Sequence, residues 1–78
     1  MEVSGFRFVP ADLTVAAGTT VRFRNEDAAA HTATADDGAF HLALDGSGDE
    51  GEITLDTAGT YAYHCALHAS MRGSITVN

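Results

Sequence analysis

At 78 residues the chain has the length of one domain, spanning 1–78, and a chain of this size buries only about 60% of the surface its unfolded form exposes. Eleven carboxylates stand against four arginines and no lysine, and the resulting net charge of −7 excludes a nucleic-acid binder, whose affinity needs cations to neutralise phosphates. A single cysteine excludes an internal disulfide and leaves a buried thiol, a reactive thiol or a metal ligand.

Taken in order, the apolar residues recur with a period of two. Phe6 and Phe8 alternate with Gly5 and Arg7, Leu13 and Val15 flank Thr14, and Val21 and Phe23 alternate with Arg22 and Arg24. Ile53 and Leu55, Tyr61 and Tyr63, and Ile75 and Val77 continue the pattern. Turn signals separate these runs: Pro10-Ala11-Asp12, Ala17-Gly18, Asn25-Glu26-Asp27, Asp36-Asp37-Gly38, Asp45-Gly46-Ser47-Gly48, Ala58-Gly59 and Arg72-Gly73. Short alternating runs between such signals predict an all-β chain. Strands are expected near 4–9, 12–16, 19–24, 31–35, 51–56, 60–65 and 73–77. Segment 26–30 has room for one helical turn at most, and 41–50 reads as an exposed connection with a short strand at its start. The run Asp56 to Tyr61 has the form of a tyrosine corner, in which a tyrosine entering a strand bonds nearby backbone across a Greek-key crossover.

No apolar run approaches the length of a membrane span. The opening Met1-Glu2-Val3 lacks the basic and apolar start of a signal peptide, which suggests a cytosolic chain or a mature domain without its leader.

The residues that carry chemistry crowd into one segment. In Tyr63-His64-Cys65-Ala66-Leu67-His68-Ala69-Ser70-Met71, thiol, imidazole and thioether recur at steps of three after a strand end, so one loop can wrap one ion. Separately, a cysteine is most often a small hydrophobe and a methionine core filler. Together the donors are soft and suit copper; two histidines, a cysteine and a weak axial methionine form the blue-copper set.

One imidazole of that set lies outside the loop, and three histidines compete for it. His64 adjoins Cys65, and strand parity sends neighbours to opposite faces, so His64 points outward if Cys65 points inward. His41 follows the uncertain stretch beside Phe40. His31 opens a strand directly after an irregular turn and is the expected ligand. The predicted metal site is therefore His31, Cys65, His68 and Met71, with His41 and His64 as exposed histidines. His31 is expected to be buried, with Asn25 or the backbone around Thr32 as its partner.

The pattern Tyr61-x-Tyr63-His64-Cys65-x-x-His68-x-x-Met71-Arg72-Gly73 resembles the ligand loop of the cupredoxins, in particular amicyanin and the short plastocyanin-like and halocyanin-like domains. Phe8-Val9-Pro10 with Leu13 to Val21 resembles the family's first hairpin, and Phe23 to Phe40 the segment carrying its first histidine ligand. The resemblance covers nearly the whole chain. It implies a Greek-key β-sandwich of seven to eight strands, one type 1 copper ion, and an exported, monomeric electron carrier. Its redox protein partners would dock on an apolar patch around His68, ringed by Ala66, Leu67, Ala69 and Met71. The family often has proline beside these histidines, where this chain has Ala30 and Ala69.

Two other classes compete. A copper module for storage, delivery or sensing, cut from a larger protein, would use the same donors in a more open site. A cysteine-dependent enzyme is disfavoured, because an inward, buried thiol is a poor nucleophile and nothing resembles an oxyanion site.

Overall fold

The computed structural model describes residues 1–68 and 70–78. Among them the chain forms strands only: β1 (Glu2–Ser4), β2 (Arg7–Val9), β3 (Asp12–Val15), β4 (Thr20–Asn25), β5 (His31–Ala35), β6 (His41–Leu44), β7 (Glu50–Thr54), β8 (Gly59–His64) and β9 (Arg72–Val77). Among the described residues no helix is long and apolar enough to cross a membrane.

The strands build a sandwich of two sheets, β2-β1-β4-β7 against β3-β9-β8-β5-β6. Strand β1 runs parallel to β4 and β3 runs parallel to β9, so both early strands join sheet partners delivered later in the chain. The period-two pattern sets the faces. In β4, Val21, Phe23 and Asn25 are buried while Arg22 and Arg24 face solvent. There the arginines meet Glu50 and Glu52 of β7. Such exposed pairs add little stability. Between the sheets, Phe8, Phe23, Phe40 and Tyr63 pack with ring centroids 4.7–6.3 Å apart, mostly edge to face.

Two features of the core bear on the site. Tyr61 donates its hydroxyl to the Thr57 carbonyl at 2.7 Å, completing the expected tyrosine corner at the entry to β8. Further along, Tyr63 pairs with Gly73 across β8 and β9. A Cβ at position 73 would lie 2.6 Å from the Tyr63 ring and 2.8 Å from the Ala11 carbonyl oxygen, so only glycine fits. The buried Tyr63 hydroxyl has no partner among the described residues, and burial raises its pKa.

The architecture matches the expected sandwich, with nine strands rather than seven or eight. The expected strand 4–9 is a hairpin, β1 and β2, turning at Gly5-Phe6 with φ of 61° and 59°. Positive φ at both central residues is the twist that suits a two-residue hairpin. Phe6 is therefore not a core residue and stands 49% exposed. The short strand expected after residue 40 is β6, paired with β5 from His31↔Leu44 to Thr34↔His41. Segment 26–30 holds bends and no helical turn. β9 starts one residue earlier than the expected strand 73–77, so Arg72, expected in the preceding turn, already belongs to it.

Candidate metal centre

The loop between β8 and β9 is shaped by its own backbone. His68 N–H donates to the Cys65 carbonyl at 3.3 Å and Met71 N–H to the His68 carbonyl at 3.0 Å, while Cys65 N–H closes the circuit on the Met71 carbonyl at 3.1 Å. Each step of three residues is thus one tight turn, and the spacing seen in sequence is the spacing of those turns. The loop begins and ends on core residues, with Cys65 fully buried and Met71 2% exposed.

β5 supplies the remaining imidazole. His31, fully buried at the start of that strand, lies 3.8 Å from Cys65 Sγ through its Nδ1, and His68 Nδ1 lies 3.6 Å from the same sulfur. Donor atoms of His31, Cys65 and His68 all fall within 4.8 Å of one another. His68 is the only partly exposed member of this trio.

The surroundings prepare the thiol for a metal. Burial pushes the Cys65 pKa up, but the Thr32 amide, the His68 and His31 rings and the Leu67 amide outweigh it and bring the thiol down to about 6. Thiolate is the form that ligates. On its far edge, His31 Nε2–H donates to Asp27 Oδ2 at 2.9 Å, which leaves Nδ1, the atom facing the sulfur, free to coordinate.

The partner of His31 is thus Asp27, neither Asn25 nor the Thr32 backbone. Asn25 acts one step back: its Nδ2 donates to the Ala29 and Leu44 carbonyls and its Oδ1 accepts from Asp27 N–H. It moulds the turn that presents Asp27. Thr32 serves the cysteine instead, its N–H pointing at Sγ over 3.4 Å. The signal for Asp27 was in the sequence, an acid four residues ahead of the candidate ligand, but its other partners lie 21 and 22 residues away.

The other two histidines sit elsewhere, and His64 is less exposed than expected. His64, half-buried on the outer face, pairs with Asp36, and exposed His41 shares a 2.8 Å hydrogen bond with Thr34 Oγ1. The expected apolar rim around His68 needs correction. Ala66 and Leu67 are exposed, but Met71 is interior, and Ala69 lies outside the described residues. Phe6 belongs to the rim instead, its ring edge-on to His68 at a centroid distance of 4.9 Å.

Residues 1–77 match the family model described as Cupredoxin-like domain. The chain belongs to the cupredoxin family. Among curated relatives it is 33% identical over 87 residues to plastocyanin A/B of Petroselinum crispum, covering 95% of this chain and 90% of that protein. Identity is also 33% to the chloroplastic plastocyanin of Silene latifolia subsp. alba, of which the chain spans 54%. Among solved structures, a purple cupredoxin from Nitrosopumilus maritimus superposes with a TM-score of 0.84 at 28% identity, over 96% of this chain and 85% of that one. An oxidised amicyanin mutant gives 0.85 at 28% identity, over 99% and 78%. The copper-containing nitrite reductase of Thermus scotoductus gives 0.86 at 32% identity, over 99% of this chain and 21% of that one.

The donor set of this cupredoxin fits its family's ion. A buried thiol held toward thiolate, two imidazole nitrogens and a thioether on the same loop are soft and intermediate donors that select copper over hard cations. One copper ion is the cofactor, and the chain is a small blue copper electron carrier.

Proposed function

We propose that His31, Cys65, His68 and Met71 hold the copper, and that this domain moves single electrons between larger redox proteins with no catalysis of its own. The observation that carries this is the convergence of two imidazole Nδ1 atoms on one buried sulfur within 4 Å. Bound copper supplies the one-electron step between its Cu(I) and Cu(II) states. The chain's part is to hold its donors still, so that little moves when the charge changes. His31 is fixed by Asp27, Cys65 by the Thr32 amide, and His68 and Met71 by the turns of the loop.

Electrons would enter and leave through His68, the one partly exposed donor, at a rim of Phe6, Ala66 and Leu67. An apolar rim suits brief contact with a partner, and the charge of −7 favours partners with a basic surround. The domain works as a monomer in an exported compartment. The chloroplastic label of the plastocyanin relatives is in keeping with work outside the cytosol.

The test is addition of one equivalent of Cu(II) to the metal-free protein. The expected result is intense blue absorption with narrow copper hyperfine splitting, followed by fast reversible reduction. A colourless, broad-hyperfine complex would remove the assignment.

A second reading is favoured by the nitrite reductase likeness, which spans only part of that enzyme: a copper module belonging to a larger protein, handing copper on. Electron self-exchange of the copper-loaded domain, measured by NMR line broadening, separates the two. Fast exchange belongs to a carrier and slow exchange to a delivery module.

A further inference from the structure

Phe6 is the one non-glycine residue with positive φ among the described residues. A bulky aromatic in this conformation is uncommon, because its Cβ crowds the backbone, and hairpin turns of this shape favour Asn or Gly. The ring is also half exposed to water. Two unfavourable choices at one position call for something that offsets them.

The offset comes from the site. The Phe6 ring meets His31 edge to face at 5.0 Å and 89°, and His68 at 4.9 Å and 82°. The two imidazoles themselves lie 5.0 Å apart, so the three rings form one cluster. The turn that carries Phe6 is tied down by a single carboxylate: Asp27 Oδ1 accepts from Gly5 N–H and Oδ2 from Phe6 N–H, each at 2.9 Å. That same Oδ2 accepts from His31 Nε2–H at 2.9 Å. Backbone bonds from Glu26 N–H to the Val3 carbonyl and from Arg24 N–H to the Met1 carbonyl hold the two segments side by side.

We propose that Asp27 is a positioning residue that latches the Gly5-Phe6 turn to His31, and that Phe6 is thereby a shutter across the outer side of the two histidines. His68 can swing away from Cys65 only by displacing the Phe6 ring, and a bulky competitor reaches the donors by the same route. The shutter slows copper loss without contributing a donor atom. This rests on the copper reading above, and its latch can be tested without metal.

Two measurements decide it. In the metal-free protein, hydrogen exchange at the Gly5 and Phe6 amides should accelerate strongly in Asp27→Ala, with amides of β8 and β9 unchanged. In the Cu(I)-loaded protein, copper loss to bathocuproine disulfonate should run roughly ten- to hundredfold faster in Phe6→Ala, the scale set by two aromatic edge contacts. Phe6→Tyr should restore the slow rate, and Val9→Ala, an exposed apolar change on the same hairpin, should leave it unaltered. Asp27→Ala should act through Phe6, so the double variant should lose copper no faster than Phe6→Ala alone. Equal rates for the unchanged protein and Phe6→Ala, or effects of the two substitutions that multiply, overturn the shutter. Unchanged exchange at Gly5 and Phe6 in Asp27→Ala overturns the latch. A protein that takes up no copper overturns the copper reading and with it the shutter, while amide exchange still decides the latch.

Discussion

The Thr32 N–H points at Cys65 Sγ across 3.4 Å, although 33 residues separate the two in sequence. Thr32 Oγ1 also accepts from Ala66 N–H at 2.7 Å, so one residue of β5 grips both the sulfur and the backbone just after it. A thiol held this way is a fixed, partly ionised donor, and the expectations below begin from it.

Replacing Cys65 by Ser should abolish the blue colour while the protein stays folded and binds copper weakly. The colour needs a thiolate, and a hydroxyl cannot stand in for it. Visible absorption after Cu(II) addition, with far-UV circular dichroism as the folding control, checks this.

His31→Ala should lose copper or open a coordination position, because His31 is interior and neither His41 nor His64 is placed to replace it beside Cys65. His41→Ala and His64→Ala should keep the spectrum, since both side chains bond to other partners on the outer face. Loss of colour in either, with His31→Ala unaffected, would relocate the first ligand.

Met71→Leu should raise the reduction potential and preserve both colour and copper. A thioether is a weak axial donor that favours Cu(II), and leucine fills much of the same buried space without donating. Voltammetry of the two proteins side by side gives the answer.

In the metal-free protein the lowered Cys65 pKa links stability to pH. The folded thiol titrates at about 6 and the unfolded one near the ordinary value of 9.0. Between them the unfolded chain holds a proton that the folded chain lacks, so stability rises with pH. That contribution is fully present above the unfolded value and is lost as pH falls through the folded one. Denaturant midpoints of the unchanged protein minus those of Cys65→Ala should therefore climb across this window.

Gly73→Ala should destabilise the fold by about 1–3 kcal/mol or more, the usual cost of overpacking a filled core. The added Cβ meets the fully buried Tyr63 ring and the Ala11 carbonyl, which is already held by the Ser74 N–H at 2.8 Å. Thermal unfolding of the metal-free variant measures it. Copper should recover part of the loss, since a ligand at a thousandfold excess over Kd adds about 4 kcal/mol.

Much of this was legible in the sequence because its physics is local. The alternation of Val21 and Phe23 with Arg22 and Arg24 marks both a strand and its buried face, and the steps of three from Cys65 to Met71 state the turn of the loop. Phe6 was misread for a related reason: Phe6 and Phe8 keep the period of two straight through a two-residue hairpin, so parity alone cannot reveal that the chain reverses. Asp27 was missed as the partner of His31 because its carboxylate is also committed to Gly5 and Phe6, which only the paired sheet brings near. What sets His31 apart from His41 and His64 in the structure, burial at the start of β5 beside Cys65, follows from strand parity and position at a sandwich end, which are themselves sequence properties.

The parallel pairing of β3 with β9 sets an order of assembly. Asp12 to Val15 align with Ser74 to Val77, so a strand made early by the ribosome waits for almost the last residues of this segment. β8 has the same neighbour on one side, and Cys65, His68 and Met71 also lie in the final stretch. A growing chain therefore lacks a complete donor set until Met71 has emerged and a complete β3-β9 pairing until Val77 has. Sandwich and metal site thus reach completion within a few residues of each other, at the end of the same stretch that carries the lone thiol.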